Sequence, residues 1–308
     1  MILSLKIGLM DLVREVFCIK AHREFAEVIL FLVALSSLLF LIGIIVVLFV
    51  EGLPTFREVT LSQFLFGKRW YPTSEPPRLG ILPLILGSLW VTIGALIFAI
   101  PLGLFSAIFL AELCPKKLRE ILKPVIEMLA GIPSVVYGFF GMVILSPLLK
   151  DLFSLPTGLT AFTASIILGI MAIPSIVSTA EDAISSVPKS YREASFSVGA
   201  THWETIRKVI IPASYSGLGA AVILGAGRII GETMTVLMVA GGAAVIPTSF
   251  FQPVRTMTAT IAAEMGEAPV GSLHYHSLFA IAIVLFLITF LLNILVDRLA
   301  QKYHTRVR

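Results

Sequence analysis

Six long apolar runs dominate this sequence and constrain its fold more than any other feature. Each run has about 20 or more mostly apolar residues, the length that an α-helix needs to cross a hydrocarbon layer of about 30 Å. The runs cover residues 28–50, 82–111, 125–149, 159–179, 215–240 and 277–296. A chain in lipid must satisfy its backbone hydrogen bonds internally, and these runs are too long for barrel strands. The sequence therefore predicts an all-α, polytopic membrane helical bundle with six transmembrane helices.

Composition supports a membrane environment and argues against a nucleic-acid partner. Only 14% of the 308 residues are charged and 57% are hydrophobic, whereas a soluble domain has roughly 25% charged residues. Membrane lipid is therefore expected to surround most of the surface. The formal net charge is +4, but the basic residues are spread between the apolar runs and do not form one patch. The charge therefore does not indicate nucleic-acid binding.

Lysine and arginine are distributed unevenly between the two predicted sides of the membrane. Sixteen of the 23 lie in the N-terminal stretch, in loops 112–124 and 180–214, and in the C-terminal tail. Six lie in the alternate connections, and Arg228 lies inside the fifth run. Because connections rich in Lys and Arg stay on the cytoplasmic side, the distribution predicts that both termini and loop 180–214 are cytosolic.

The same pattern divides the chain into four predicted segments. These are a cytosolic amphipathic segment (1–26), the first transmembrane helix with its outer loop (27–81), the main helical core (82–298) and a cytosolic tail (299–308). The two large outer connections are too polar to span a membrane and contain Pro, Gly and aromatic residues. They predict a structured cap over the outer end of the bundle.

The long loop between the fourth and fifth runs is predicted to fold into two short helices. Pro188 suits the first turn of a helix, which is expected over residues 191–198, and Gly199 suits a left-handed stop. A second helix is expected over about residues 202–211, before Pro212. Two short helices joined by a tight turn make a rigid projection with apolar and charged faces. Such a projection suits docking into a cleft of a soluble partner.

The same loop carries a spaced motif. Glu193, Ala194 and Ser195 are followed by three residues and Gly199, and nine residues later comes Val-Ile-Ile-Pro, which ends at Pro212. This pattern resembles the E-A-A-x-x-x-G and I-x-L-P signature of permeases of bacterial binding-protein-dependent ABC importers. The departures are conservative: Ser for the second Ala, Val for Ile, and Ile for Leu. The alternative is an ordinary connecting helical hairpin.

The resemblance implies a type I ABC importer permease fold with a MetI-like transmembrane domain, located in a bacterial cytoplasmic (inner) membrane. It implies that loop 180–214 couples to an ATPase, through Tyr191, Glu193, Ala194, Gly199 and Pro212. The chain has no G-x-x-x-x-G-K-[ST] phosphate loop, so ATP hydrolysis is expected from two copies of a separate subunit. The chain itself is predicted to be a non-catalytic transport subunit without a cofactor or metal.

The fifth run contains a pair of opposite charges. Arg228 and Glu232 are four residues apart, where a continuous helix would place them on one face and let them pair. Ionised side chains cost about 2.5–3.5 kcal/mol on membrane-insertion scales, so the pair is expected to face the bundle interior. Two hypotheses remain open. The pair is either a structural ion pair that locks the bundle, or part of a substrate pathway that includes Thr233, in which Arg228 binds an anion while Glu232 holds and partly neutralises Arg228. Gly227 and Gly231 form a G-x-x-x-G pattern, which predicts close approach of another helix.

The residues around Arg228 carry a second resemblance. The stretch G-R-I-I-G-E-T-M is similar to G-R-A-x-G-E-T in the permease subunits of the high-affinity phosphate (Pst) importer. Residues 69–73, 80–92 and 130–141 also resemble the PstC-type subunit, and the matches extend from about Trp70 to the C-terminus. The resemblance implies inorganic phosphate as the substrate. It also implies a second homologous permease subunit and an extracytoplasmic phosphate-binding protein as partners.

The residue pattern alone leaves rival functions open. A permease for sulfate, molybdate or phosphonate would use the same charges, and a membrane-embedded enzyme is an alternative from another class. No cluster of His, Asp and Cys at one membrane face supports an enzyme. Among other polar residues, Glu127 is expected near the N-terminus of the third span, Glu264 and Glu267 on a solvated outer face, and His274 outside any metal site.

Overall fold

A computed structural model describes the backbone of residues 2–304 and the side chains of residues 27–294. The described chain is mostly helical, with an antiparallel hairpin of two short strands, β1 (Trp70–Tyr71) and β2 (Arg78–Leu79), between the third and fourth helices. The helices are, in chain order, α1 (Ile2–Gly52), α2 (Thr55–Glu58), α3 (Leu61–Phe66), α4 (Leu82–Ile108), α5 (Lys116–Ala130), α6 (Ser134–Phe140), α7 (Ser146–Leu152), α8 (Ala161–Ser185), α9 (Lys189–Ser197), α10 (His202–Thr205), α11 (Ile211–Ala213), α12 (Tyr215–Gly231), α13 (Met234–Val239), α14 (Met257–Glu264) and α15 (Leu273–His304).

The expected all-α membrane bundle is confirmed. Five helical stretches are long and apolar enough to cross a membrane: Glu27–Glu58, Leu82–Leu113, Ser134–Leu152, Ala161–Ser185 and Leu273–Ile294. A sixth candidate is the bent pair His202–Ala213 and Tyr215–Gly231, whose two parts meet at 71°. The described residues therefore contain five spans, or six if the bent pair counts as one.

Residues 1–51 and 52–308 are two separate compact units. α1 begins at Ile2 and continues without a break through the first apolar run, so the boundary expected after residue 26 is not a helix boundary. The amphipathic character expected for residues 1–26 concerns side chains outside the described residues. The same holds for the tail, 299–308.

The predicted third span, residues 125–149, is wrong at its start. α5 ends at Ala130, and α6 begins at Ser134 after an extended Pro133. Proline has no N–H to donate and disfavours helical geometry in the residue before it, which explains the break. Residues 116–130 are therefore a separate helix, and Glu127 lies near the end of that helix and not at the N-terminus of the span.

α8 lies at the centre of the bundle, packed between α4 and α12. Glycines allow this close packing: a Cβ at Gly103 of α4 or Gly225 of α12 would lie 2.7 or 2.5 Å from Ile176 of α8. The packing glycines of α12 are thus not the predicted Gly227 and Gly231. A Cβ at either of those would meet no atom within 4 Å among the described residues, so the close approach of another helix to them stays a prediction.

The end of the bundle opposite loop 180–214 holds a buried polar network centred on Glu264. Its carboxylate accepts hydrogen bonds from Trp70 Nε1 at 3.0 Å and Arg255 Nη1 at 2.5 Å, and lies 2.9 Å from His274 Nε2. The side chain of Glu264 is only 15% exposed, so the prediction that Glu264 lies on a solvated face is wrong. The network joins β1, α14 and α15, and it fixes a structured end of the bundle, as expected for the polar connections.

Candidate substrate pathway and docking loop

The fifth run is interrupted where its charges lie. α12 ends at Gly231, Glu232 has an extended backbone with ψ 133°, and α13 begins at Met234. Non-helical backbone at membrane depth is tolerated only where protein buries it or where it lines a water-filled cavity. A continuous helix over residues 215–240 is therefore wrong, and the break marks a candidate site.

Arg228 binds neutral groups from two other parts of the chain. Its Nη1 donates to Ser175 Oγ at 2.8 Å, and its Nη2 donates to the carbonyl oxygen of Ala130 at 3.0 Å. Within the described part of the chain, no carboxylate lies within 4.0 Å of the guanidinium. Arg228 therefore keeps an uncompensated positive charge and free N–H donors in a half-buried position.

Glu232 does not pair with Arg228, because the helix that would have placed both on one face ends at Gly231. One carboxylate oxygen of Glu232 accepts from the backbone N–H of Thr235 at 3.1 Å, in the first turn of α13. Its backbone carbonyl accepts from Thr258 Oγ1 at 2.9 Å. The Arg228–Glu232 pairing, which both hypotheses assumed, is thus wrong. The carboxylate instead caps the start of α13, where a negative charge is favourable.

The break in α12–α13 lies against the break between α5 and α6. Thr235 Oγ1 donates to the carbonyl of Ser134 at 2.9 Å, and Arg228 binds the last carbonyl of α5. Thr233, predicted beside the pathway, lies half-buried within the α12–α13 break, and its hydroxyl donates to Gly231 O at 3.3 Å. The structure thus brings together two irregular segments around one free guanidinium. Of this set, the sequence pattern missed Ser175 and Thr235.

Loop 180–214 has the predicted helix–turn–helix form. Gly199 has φ +84°, and the N–H groups of Gly199 and Ala200 bond to the carbonyls of Phe196 at 3.0 Å and Ser195 at 3.2 Å. These two hydrogen bonds, together with a glycine in the left-handed region, form the Schellman motif that ends α9. Thr201 then begins α10 with a reciprocal capping box to Glu204. The predicted second helix continues through a wider π-turn, Ile206–Ile210, into α11.

The five predicted docking residues share one property: they are exposed. They are Tyr191, Glu193, Ala194, Gly199 and Pro212. Phe196, Val198 and Trp203 are also exposed, at 45%, 82% and 60%, and sequence reasoning did not select them. An exposed surface of aromatic and aliphatic side chains on two capped helices is suited to a protein partner.

An ion pair holds loop 180–214, here called the docking loop, to the bundle. Arg192 donates from Nη2 to Glu112 Oε1 at 2.5 Å and from Nη1 to the carbonyl of Val187 at 2.7 Å. Inside the loop, the hydroxyls of Ser195 and Thr205 share a buried hydrogen bond of 2.8 Å. The loop is therefore a firm projection of the bundle and not a flexible connection.

α5 is also fixed to the bundle by charges. Glu181 of α8 is 1% exposed and pairs with Arg119 and Lys123 of α5, and Lys123 also binds Asp182 at 2.6 Å. The hydrogen bonds that Lys123 donates to Asp182, and to a smaller extent to Glu181, raise the pKa of Lys123 above its ordinary value of 10.5. Because the other end of α5 supplies the Ala130 carbonyl to Arg228, this helix connects the docking-loop end of the bundle to the candidate site.

Three comparisons with known proteins agree with this geometry. Residues 99–308 match the family described as binding-protein-dependent transport system inner membrane component. A probable ABC transporter permease protein, YqgH, of Bacillus subtilis is 41% identical over 263 residues, 85% of each chain. The phosphate transport system permease protein PstC of Mesorhizobium japonicum is 38% identical over 281 residues, 84% of each chain. A bacterial alginate ABC transporter crystallised with its periplasmic protein has a TM-score of 0.64 at 13% identity, covering 89% of this chain and 94% of the other.

The chain therefore belongs to the binding-protein-dependent transport system inner membrane component family. It is a multi-pass membrane permease subunit of the ABC importer class, and it is a transport component and not a catalyst. Members of this family work with an ATPase and a binding protein. Among the described residues no group of His, Cys, Asp and Glu could hold a metal ion.

Proposed function

We propose that this chain forms, with a second homologous permease subunit, the path by which inorganic phosphate enters the cytosol. The observation that carries the proposal is Arg228, whose guanidinium is held by Ser175 and Ala130 but is not neutralised. A guanidinium presents N–H donors in a planar fork that matches the oxygens of a tetrahedral oxyanion. The name of the Mesorhizobium japonicum relative adds phosphate as the choice among such anions.

The rest of the machinery follows from the same assignment. Two copies of an ATP-binding subunit receive loop 180–214 of this chain and its counterpart, and an extracytoplasmic phosphate-binding protein delivers the substrate at the opposite end. Closure of the ATPases then moves the docking loop, and α5 carries that motion to the carbonyl that holds Arg228. Glu232 and Thr233 belong to the pathway through the break that they form beside Arg228.

The test of substrate class is uptake by the complete complex in proteoliposomes. Phosphate, sulfate, molybdate and a phosphonate are each offered with the cognate binding protein, and both uptake and stimulated ATP hydrolysis are measured. We expect phosphate alone to be accumulated. Because a guanidinium fork also fits other tetrahedral oxyanions, uptake of one of them with phosphate left outside would replace the proposed substrate.

The orientation is a separate proposal, supported by the sixteen Lys and Arg on the side of loop 180–214. A single cysteine at exposed Ser186, introduced into a variant without other cysteines, is expected to resist membrane-impermeant reagents added outside intact cells. Labelling from outside would show that the proposed topology is inverted, with loop 180–214 and both termini outside.

A further inference from the structure

A second unneutralised group of cations lies at the end of the bundle opposite the docking loop. It borders a concavity of about 640 Å³ between the segment 58–69, the hairpin segment 76–80 and the start of α15. The charged residues on its wall are Glu58, Lys68, Arg69 and Arg78. We call this concavity the basic basin.

The basin carries a net positive charge. Lys68, Arg69 and Arg78 are exposed, and among the described residues none of them has a carboxylate within 4.0 Å. Glu58 is the single carboxylate on the wall. A concave surface with an excess of one sign of charge concentrates the electric field and attracts groups of the opposite sign.

The wall of the basin is rigid, which distinguishes it from a loosely solvated charged loop. Gly67 and Gly80 touch backbone to backbone, since a Cβ at Gly67 would lie 2.6 Å from the Cα of Gly80. The N–H of Gly80 bonds to the carbonyl of Arg69 at 3.0 Å, and the N–H of Leu82 bonds to that of Gly67 at 3.2 Å. Trp70, between the cations, is 2% exposed and anchored on Glu264. The backbone positions that carry the three cations are therefore fixed.

We propose that the basic basin is the seat for an acidic patch on the extracytoplasmic binding protein; this rests on the proposed function. The basin is much larger than a single small oxyanion, and its cations are exposed and hydrated, so a free anion would bind only weakly. An acidic protein surface engages all three cations together and excludes water from them. It also gains in association rate from long-range attraction. The basin lies at the end where a delivering partner must approach, opposite the docking loop.

The test uses the complete complex in nanodiscs of zwitterionic lipid, with ATP hydrolysis measured against the concentration of phosphate-loaded binding protein. We expect the double variant Lys68→Glu/Arg78→Glu to raise the half-maximal concentration by about tenfold or more at low salt, since reversed charges repel the acidic partner. Hydrolysis at saturating binding protein should be preserved. The neutral variant Lys68→Gln/Arg78→Gln should give a smaller shift, and added salt should reduce both shifts.

Lys150→Glu is the matched control. Lys150 is an exposed lysine at the same end of the bundle, outside the basin, so its reversal should leave the half-maximal concentration unchanged. Equal shifts in control and basin variants would overturn the proposal, because they would report net charge alone. An unchanged half-maximal concentration in the double variant would overturn it as well.

Two further readouts separate the rival sources of negative charge. If the complex without binding protein binds free phosphate saturably and loses that binding in the double variant, the basin is an anion site and not a docking seat. A shift that appears only in nanodiscs with anionic lipid would replace it by a headgroup site. If the wild-type complex is not stimulated by the binding protein at all, the proposed function fails, whereas stimulation with no basin effect contradicts only this inference.

Discussion

The cations at the two levels of the bundle are held in opposite ways. At the docking-loop end, Arg119, Lys123 and Arg192 each pair with a carboxylate, and those carboxylates include the buried Glu181 and the half-buried Glu112. In the interior, Arg228 is held only by a hydroxyl and a carbonyl. All four side chains are fixed in place, but only the interior one keeps its charge available.

This difference separates structural charge from functional charge. Breaking a buried ion pair leaves an uncompensated charge and costs stability. We therefore assign a structural role to the paired cations of α5 and α9. Neutral acceptors position a guanidinium without consuming its charge. This contrast supports the proposed binding of an anion by Arg228, and variants at both kinds of cation test it, in order of expected effect.

The largest effect is expected from Arg228→Gln. Hydrogen bonds to charged groups contribute about 1.5–3 kcal/mol, so phosphate uptake should fall by roughly 10- to 100-fold. Because Glu232 is not the partner of Arg228, the variant orphans no carboxylate, and assembly should be normal by co-purification of the subunits. Arg228→Lys keeps the charge without the fork and should retain part of the uptake. Uptake close to wild type in Arg228→Gln would make Arg228 a structural residue like the others.

The next effect concerns the docking loop. Gly199→Asp places a charged side chain at φ +84° on the exposed turn, which has open space around it. We expect stimulated ATP hydrolysis and uptake to fall together by about tenfold or more, with a backbone cost of only about 1–2 kcal/mol. Gly271→Asp is a matched control, since Gly271 has φ +76° and equally open space at the opposite end. Equal losses in both variants would show that strain, and not docking, is responsible.

A smaller effect is expected from Glu181→Gln, which removes the carboxylate shared by Arg119 and Lys123. These partners are 33% and 31% exposed, so solvent screening limits the loss of stability to about 1–2 kcal/mol. A thermal unfolding scan of the complex measures it. Uptake per folded complex should change little, in contrast to Arg228→Gln. An unchanged melting temperature in Glu181→Gln would show that this ion pair does not stabilise the complex.

The pH dependence of the same ion pair follows from the raised pKa of Lys123. A raised pKa means that the stabilisation is complete below the ordinary value of 10.5 and is lost as the pH rises through the higher folded value. The melting-temperature difference between wild type and Lys123→Gln should therefore be constant through neutral pH and shrink only in strong alkali. A difference that already shrinks near pH 8 would contradict the pairing.

The smallest effect is expected from Glu232→Gln. The carboxamide oxygen can still accept from the N–H of Thr235, so uptake should fall by only about two- to fivefold, equivalent to roughly 0.5–1 kcal/mol. The double variant with Arg228→Gln should combine the two losses additively, because residues that do not touch usually add within about 0.3–0.5 kcal/mol. Strong non-additivity in uptake would indicate a direct interaction between Arg228 and Glu232.

Much of the docking loop could be predicted from the sequence. Its helix stop at Gly199 and its helix start after Pro188 depend on hydrogen bonds and backbone preferences within a few residues, which the local pattern contains. The apolar runs determined the membrane bundle for a similar reason, since run length alone decides whether a helix can cross lipid. The spaced motif that ends at Pro212 also predicted the family.

Only the tertiary structure decided how the charges are partnered. The acceptors of Arg228 lie 53 and 98 positions away along the chain. Glu264 accepts a hydrogen bond from Trp70, which is 194 positions away. The four-residue spacing to Glu232 suggested a closer partner, but it depended on a helix that ends at Gly231. Sequence spacing determines contacts only while the local geometry continues. Once the helix breaks, packing against distant segments decides which groups meet, and in this chain it left Arg228 with neutral partners.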